Sequence, residues 1–114
     1  MSDATFNPIQ AAREYLASNL SRAVSLKELE EVSGLSRFHL SRRFKHEVGQ
    51  SPMQFHMRLR IEDAMRRLKN GETPVDVAAG LGFSDDAHFS RVFKKLTGNT
   101  PGAAFVRKRD IKSD

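Results

Sequence analysis

Apolar residues recur along this chain at helical spacing, and no run alternates in the way a half-buried strand requires. Ile9, Ala12, Leu16 and Leu20 fall on one helical face. Asn7 caps that helix, Pro8 opens it, and it is expected to end near Asn19. Ser25 and Glu28 form a capping box for a short helix that buries Leu26, Leu29 and Val32 and shows Glu28, Glu30 and Glu31 outward. Gly34 gives a tight turn, Leu35 an apolar plug, and Ser36 the cap of the next helix, which stops at Gly49. Ser51-Pro52 starts a long helix to about Lys69, with Phe55, Leu59, Ile61, Ala64, Met65 and Leu68 as its apolar positions. Thr73-Pro74 starts another, carrying Val75, Val77, Ala78 and Leu81. Gly82, Phe83 as plug and Ser84 as cap lead to a helix that stops at Gly98. Thr100-Pro101 opens a last short helix containing Ala104 and Phe105, followed by a basic tail, Arg107 to Arg109. The expected fold is all-α, with about seven helices.

The helix from Ser36 to Gly49 organises the rest. With Leu40 at the centre of its buried face, about 100° of rotation per residue brings Phe44, Glu47 and Val48 nearby. Phe38, Ser41, Arg42 and Lys45 fall on the far side. Arg takes guanine edges in the major groove, an apolar ring meets a thymine methyl, and Lys meets phosphate. A plain solvated face with one stray Phe is the competing explanation.

A repeat tips the balance. Residues 39–45, HLSRRFK, align with residues 88–94, HFSRVFK, and Gly34, Gly49 and Pro52 align with Gly82, Gly98 and Pro101. One extra residue falls between Ser84 and His88. The chain therefore holds two helix-turn-helix units, residues 7–50 and 71–109, joined by a linker helix over residues 51–70. The second outward face carries Ala87, Ser90, Arg91 and Lys94, so the pair Arg42/Lys45 recurs as Arg91/Lys94. A merely solvated face has no reason to repeat the same order.

Composition narrows the field further. Lys and Arg outnumber Asp and Glu by 19 to 14, for a formal net charge of +5, which favours a polyanionic partner. The absence of Cys excludes disulfides, thiolate zinc sites and a thiol nucleophile. Of the four histidines, His39 and His46 share a helix face but lack a third ligand, so neither a metal, a cofactor nor catalysis is expected. No apolar run approaches the roughly 18 residues that cross a bilayer. The first ten residues lack a signal-peptide layout, and a cytoplasmic protein is expected.

The stretches SLKELEEVSGLSRFHLSRRFKHEVGQSP and VDVAAGLGFSDDAHFSRVFKKLTGNTP resemble the DNA-binding domain of AraC/XylS-family bacterial transcription regulators, over about residues 9–107. The resemblance implies two helix-turn-helix subdomains on a linker helix, facing one side of double-stranded DNA. It places Phe38, Ser41 and Arg42 at base-contacting positions, with Asp86, Ala87 and Arg91 in the second unit. Arg37 joins the first set of candidates. Ser51 and Thr100, at helix starts, are candidates for phosphate. Three features depart from the family pattern. Glu30 replaces a usual small residue and is expected either to reach outward or to loosen the first unit; Asp86-Ala87 offers little to a base; and the spacing in PGAAFVR leaves the end of the last helix open.

The resulting expectation is an activator that resembles the small stand-alone members of the family. It would bind as a monomer, with two recognition helices in successive major grooves. Such grooves lie about 34 Å apart, against a linker helix of about 27 Å, so the duplex would bend or the second helix dock incompletely. The acidic face Glu28/Glu30/Glu31 is a candidate surface for RNA polymerase. A basic helical RNA-binding or protein-interaction module is the alternative. Sequence-specific RNA readers stack bases on exposed aromatics, and only Phe38 stands out for that role.

Overall fold

A computed structural model describes residues 5–111, whose regular elements are all helical, with no strand among them. Seven α-helices follow in order: α1 Pro8–Ala17, α2 Leu26–Ser33, α3 Arg37–Val48, α4 Pro52–Lys69, α5 Pro74–Gly80, α6 Asp86–Thr97 and α7 Pro101–Ala104. A 3-10 turn over Lys108–Asp110, which the sequence did not announce, comes last.

The chain divides into two compact units, and the division does not follow chain order. Among the described residues, the first comprises those up to Asn19 together with Ala23–His56, and the second comprises Leu20–Arg22 and those from Met57 to Ile111. In the first unit α1, α2 and α3 pack against one another. Ile9, Ala12, Leu16, Leu29, Leu40 and Phe44 are buried there, and the Phe44 ring meets Phe55 edge-on at 5.4 Å between centroids. Burying a side chain of this size stabilises by about 1.5–3 kcal/mol. His56 is also buried, its Nε2 at 2.8 Å from the Asn19 carbonyl oxygen.

The second unit gathers Ile61, Ala64 and Leu68 of α4 with Val77, Phe83, Phe89 and Phe93 into one core. Leu20 packs against this core, whereas periodicity had assigned it to the face of α1. The helix α1 ends at Ala17, so Leu20 is free to do so. The helix α4 runs unbroken over 18 residues, its first turn in one unit and the remainder in the other.

Several expected details change. The α6 cap is Asp85, not Ser84: the Asp85 carboxylate accepts from the Ala87 N–H at 2.8 Å, because the extra residue pushes Ser84 one position out of the helix start. Of the apolar residues that α5 carries, Val75 is exposed. Leu26 and Val32 are only half-buried, and Ser33 is buried in their stead. Phe105 has extended backbone and ends α7 as its C-cap instead of lying within it.

Candidate nucleic-acid interface

The core fixes which face of each second helix is left outside. In α3, Leu40 and Phe44 are fully buried, the Ser36 hydroxyl accepts from the His39 N–H at 3.2 Å, and Gly49 closes the helix at φ 90°. Phe38, Arg42 and Lys45 consequently stand exposed and Ser41 half-exposed. The Phe38 side chain is 79% exposed, an uncommon position for a large apolar ring. In α6, Phe89 and Phe93 are buried, and Asp86, Ala87, Ser90, Arg91 and Lys94 are exposed. Both helices have twelve residues, so with Asp85 as cap the two run in register from first residue to last.

Charge sorts the cations into two groups. Arg43 pairs with Glu47 at 3.0 Å, Arg58 with Glu62 at 2.8 Å, and Arg67 with Asp63 at 3.0 Å. Arg66 shares Asp63, so much of the basic charge of α4 is neutralised locally. Arg60 is buried within the second unit, and burial lowers its pKa. By contrast Arg42, Lys45, Arg91 and Lys94 make no ion pair and no side-chain hydrogen bond among the described residues. Other exposed cations, Lys69, Lys95 and Arg109 among them, make none either; what sets the four apart is their matching places on α3 and α6.

Arg37 belongs to the first group. Its backbone N–H donates to Glu30 Oε2 at 2.8 Å, and its Nε donates to the same oxygen at 3.2 Å. Glu30 therefore reaches outward and supplies an acceptor to the start of α3, the first of the two outcomes expected for it. Hydrogen bonds from Arg37 hold its carboxyl below the ordinary value. No helical periodicity couples residues 30 and 37; only the turn between α2 and α3 brings them together.

The helix starts are occupied in part. Ser51 and Gln54 form a reciprocal box, each backbone N–H donating to the other side chain at 3.1 Å. Thr100 Oγ1 accepts from the Ala103 N–H at 3.1 Å. In both cases the hydroxyl proton remains as a donor. Of the acidic face, Glu28 is drawn inward, accepting from the Tyr15 hydroxyl at 2.7 Å and closing the α2 capping box. His39 and His46 are exposed, and His88 lies edge-on to Phe83 at 5.6 Å. No group of three or more His, Cys, Asp or Glu among the described residues is arranged to hold a metal ion.

Two helix-turn-helix units with open cations on their second helices define the class: an all-helical DNA-binding regulatory module. The helix-turn-helix domain family matches residues 29–107, and the chain belongs to it, in the form found in AraC/XylS-type transcription regulators. It is 33% identical over 95 residues to the HTH-type transcriptional regulator YbfI of Bacillus subtilis, covering 76% of this chain and 34% of that protein. It is 33% identical over 96 residues to the MmsAB operon regulatory protein of Pseudomonas aeruginosa, covering 83% of this chain and 31% of that protein. A crystal structure of a probable AraC family transcriptional regulator from Rhodopseudomonas palustris superimposes with a TM-score of 0.78 at 28% identity, over 87% of this chain and 94% of that one. The chain thus spans about a third of the length of these curated relatives. These are regulators rather than enzymes, and no helix among the described residues is long and apolar enough to cross a membrane.

Proposed function

We propose that the chain binds duplex DNA sequence-specifically as a monomer, α3 and α6 entering successive major grooves, and regulates transcription from the bacterial cytoplasm as an activator. The functional division is residues 7–50, 51–70 and 71–109. One observation carries the proposal: Arg42/Lys45 and Arg91/Lys94 occupy matching positions of two equal-length helices, exposed and free of ion pairs. Arg42 and Arg91 read bases, Phe38 meets a thymine methyl, and Ser41 and Ser90 add hydrogen bonds. Lys45 and Lys94 take phosphates, and Ser51 and Thr100 donate their hydroxyl protons to phosphates. Asp86 and Ala87 offer bases little, so the first unit supplies most of the readout. Bending the duplex to match the linker costs on the order of 1–6 kcal/mol, offset by the contacts it permits. Glu31 remains of the acidic face as a contact for RNA polymerase, Glu28 and Glu30 being engaged within the first unit.

Site selection from random duplexes, with single-stranded RNA as control, tests this reading. Selected duplexes should carry two dissimilar boxes about one helical turn apart. Arg42→Ala should cost about 1–3 kcal/mol and relax preference in one box. Unchanged preference in that variant, or tighter binding to RNA, defeats the assignment.

A further inference from the structure

The clasp between Glu30 and Arg37 concerns the proposed DNA contact directly, and the inference drawn from it rests on that reading. A phosphate approaching the start of a recognition helix is held by a first-turn N–H and by a nearby guanidinium. Glu30 already holds both. Its Oε2 accepts from the Arg37 N–H at 2.8 Å and from Arg37 Nε at 3.2 Å, and its Oε1 lies 3.5 Å from Arg37 Nη2. The carboxylate occupies the donor set that a backbone phosphate would use, and it adds a negative charge at that place.

The second unit has no such arrangement. There the residue equivalent to Glu30 is Ala78, which is buried, and the residue equivalent to Arg37 is Asp86. The clasp is thus confined to the unit with the stronger set of base-reading side chains. An acid in the Ala78 position would have to enter the core; in the first unit Glu30 lies at the rim, with 30% of its side chain exposed.

We propose that Glu30 acts as an internal competitor of the DNA backbone: it withholds Arg37 from phosphate and so limits sequence-independent affinity, leaving discrimination to Arg42 and Phe38. Arg37 is then a positioning residue for the start of α3 rather than a DNA contact. The effect is electrostatic and local, and it acts equally on every duplex.

The experiment measures binding of the whole chain to its selected duplex and to a random duplex of equal length, by fluorescence anisotropy across a salt series. Glu30→Gln should bind both duplexes about tenfold more tightly, since one charged contact is gained. Its salt dependence should steepen by about 0.9 in log–log slope. Both gains should vanish in the double variant Glu30→Gln/Arg37→Ala. Arg37→Ala alone should leave the wild-type slope unchanged, and this variant decides the matter even where Glu30→Gln loosens the helix start. A slope that falls by about 0.9 in Arg37→Ala alone would mean that Arg37 already contacts phosphate, and the proposal is wrong. An unchanged slope and affinity in a folded Glu30→Gln would also overturn it. Failure of the underlying reading is distinct: the wild type would then show no Arg42-dependent preference for its selected duplex.

Discussion

The Arg60 guanidinium donates from Nε to the Leu20 carbonyl oxygen at 3.0 Å, across forty positions of sequence. It also donates to the Leu81 carbonyl, and it stacks over the Phe83 ring at 4.6 Å from the centroid. A charge in a helix with three other arginines, of which only Arg66 is fully exposed, thereby becomes a tie for two chain segments of the second unit. Planarity and a fork of donors make arginine suited to this, where a lysine would hold one oxygen and stack poorly.

Replacing Arg60 by Met keeps much of the volume and removes every donor. The expected cost is roughly 1–3 kcal/mol for each carbonyl left unpaired. Denaturant unfolding checks this, and Arg60→Lys should fall between Met and wild type. A Met variant as stable as wild type would show that the carbonyls find water instead.

Gly82 presents a related constraint. Its φ is +79°, and an added Cβ would overlap the Ser21 carbonyl oxygen. Gly82→Ala should therefore cost about 1–3 kcal/mol from the backbone conformation alone, with the collision added to it. Gly34, at φ +75°, has nothing within 4 Å of such a Cβ. Gly34→Ala should thus be the milder change, and thermal melting of the two variants gives the order.

The division of cations into open and paired sets predicts different salt behaviour for neighbours on one helix. Lys45→Ala should weaken binding to all duplexes alike and flatten the log–log salt slope by about 0.9. Arg43, held by Glu47 at 3.0 Å, should leave the slope nearly unchanged when replaced by Ala. Equal effects from both would show that the Arg43–Glu47 pair opens on DNA.

The Glu30 carboxyl should titrate below its ordinary value of 4.5, the side-chain hydrogen bond from Arg37 being the chief cause. A depressed carboxyl contributes stability that is fully present above the unfolded value and is lost as pH falls through the folded one. The clasp should thus be intact at neutral pH and release only in acid below 4.5. Side-chain carboxyl NMR reads the titration directly, and Arg37→Ala should return it toward the ordinary value. A wild-type Glu30 titrating at or above 4.5 would contradict the observed hydrogen bonds.

Helix order, the duplicated unit and the open faces of α3 and α6 were legible because helical periodicity and capping are local. Ser25 and Glu28, Ser36 and Gly49, and Thr73 and Pro74 each set an element boundary within a few residues of themselves. The repeat then marked Arg42, Lys45, Arg91 and Lys94 without reference to any contact. Where a single residue was inserted, the same local rule misplaced the cap by one, and Asp85 took it because its backbone alone was at the helix start.

What the tertiary structure decided is which charges are spent. By sequence, Arg37 stands with Arg42 among the candidates for DNA contact. Only packing brings Glu30 across the turn to Arg37, folds Leu20 against a core to which α1 does not belong, and lays Arg60 over Phe83. These outcomes depend on distances between residues far apart in the chain, which a pattern of neighbours does not contain. The order of apolar and polar positions specified two helical reading units and the cations on their open faces; the fold decided that Arg37 and Arg60 are held within the protein.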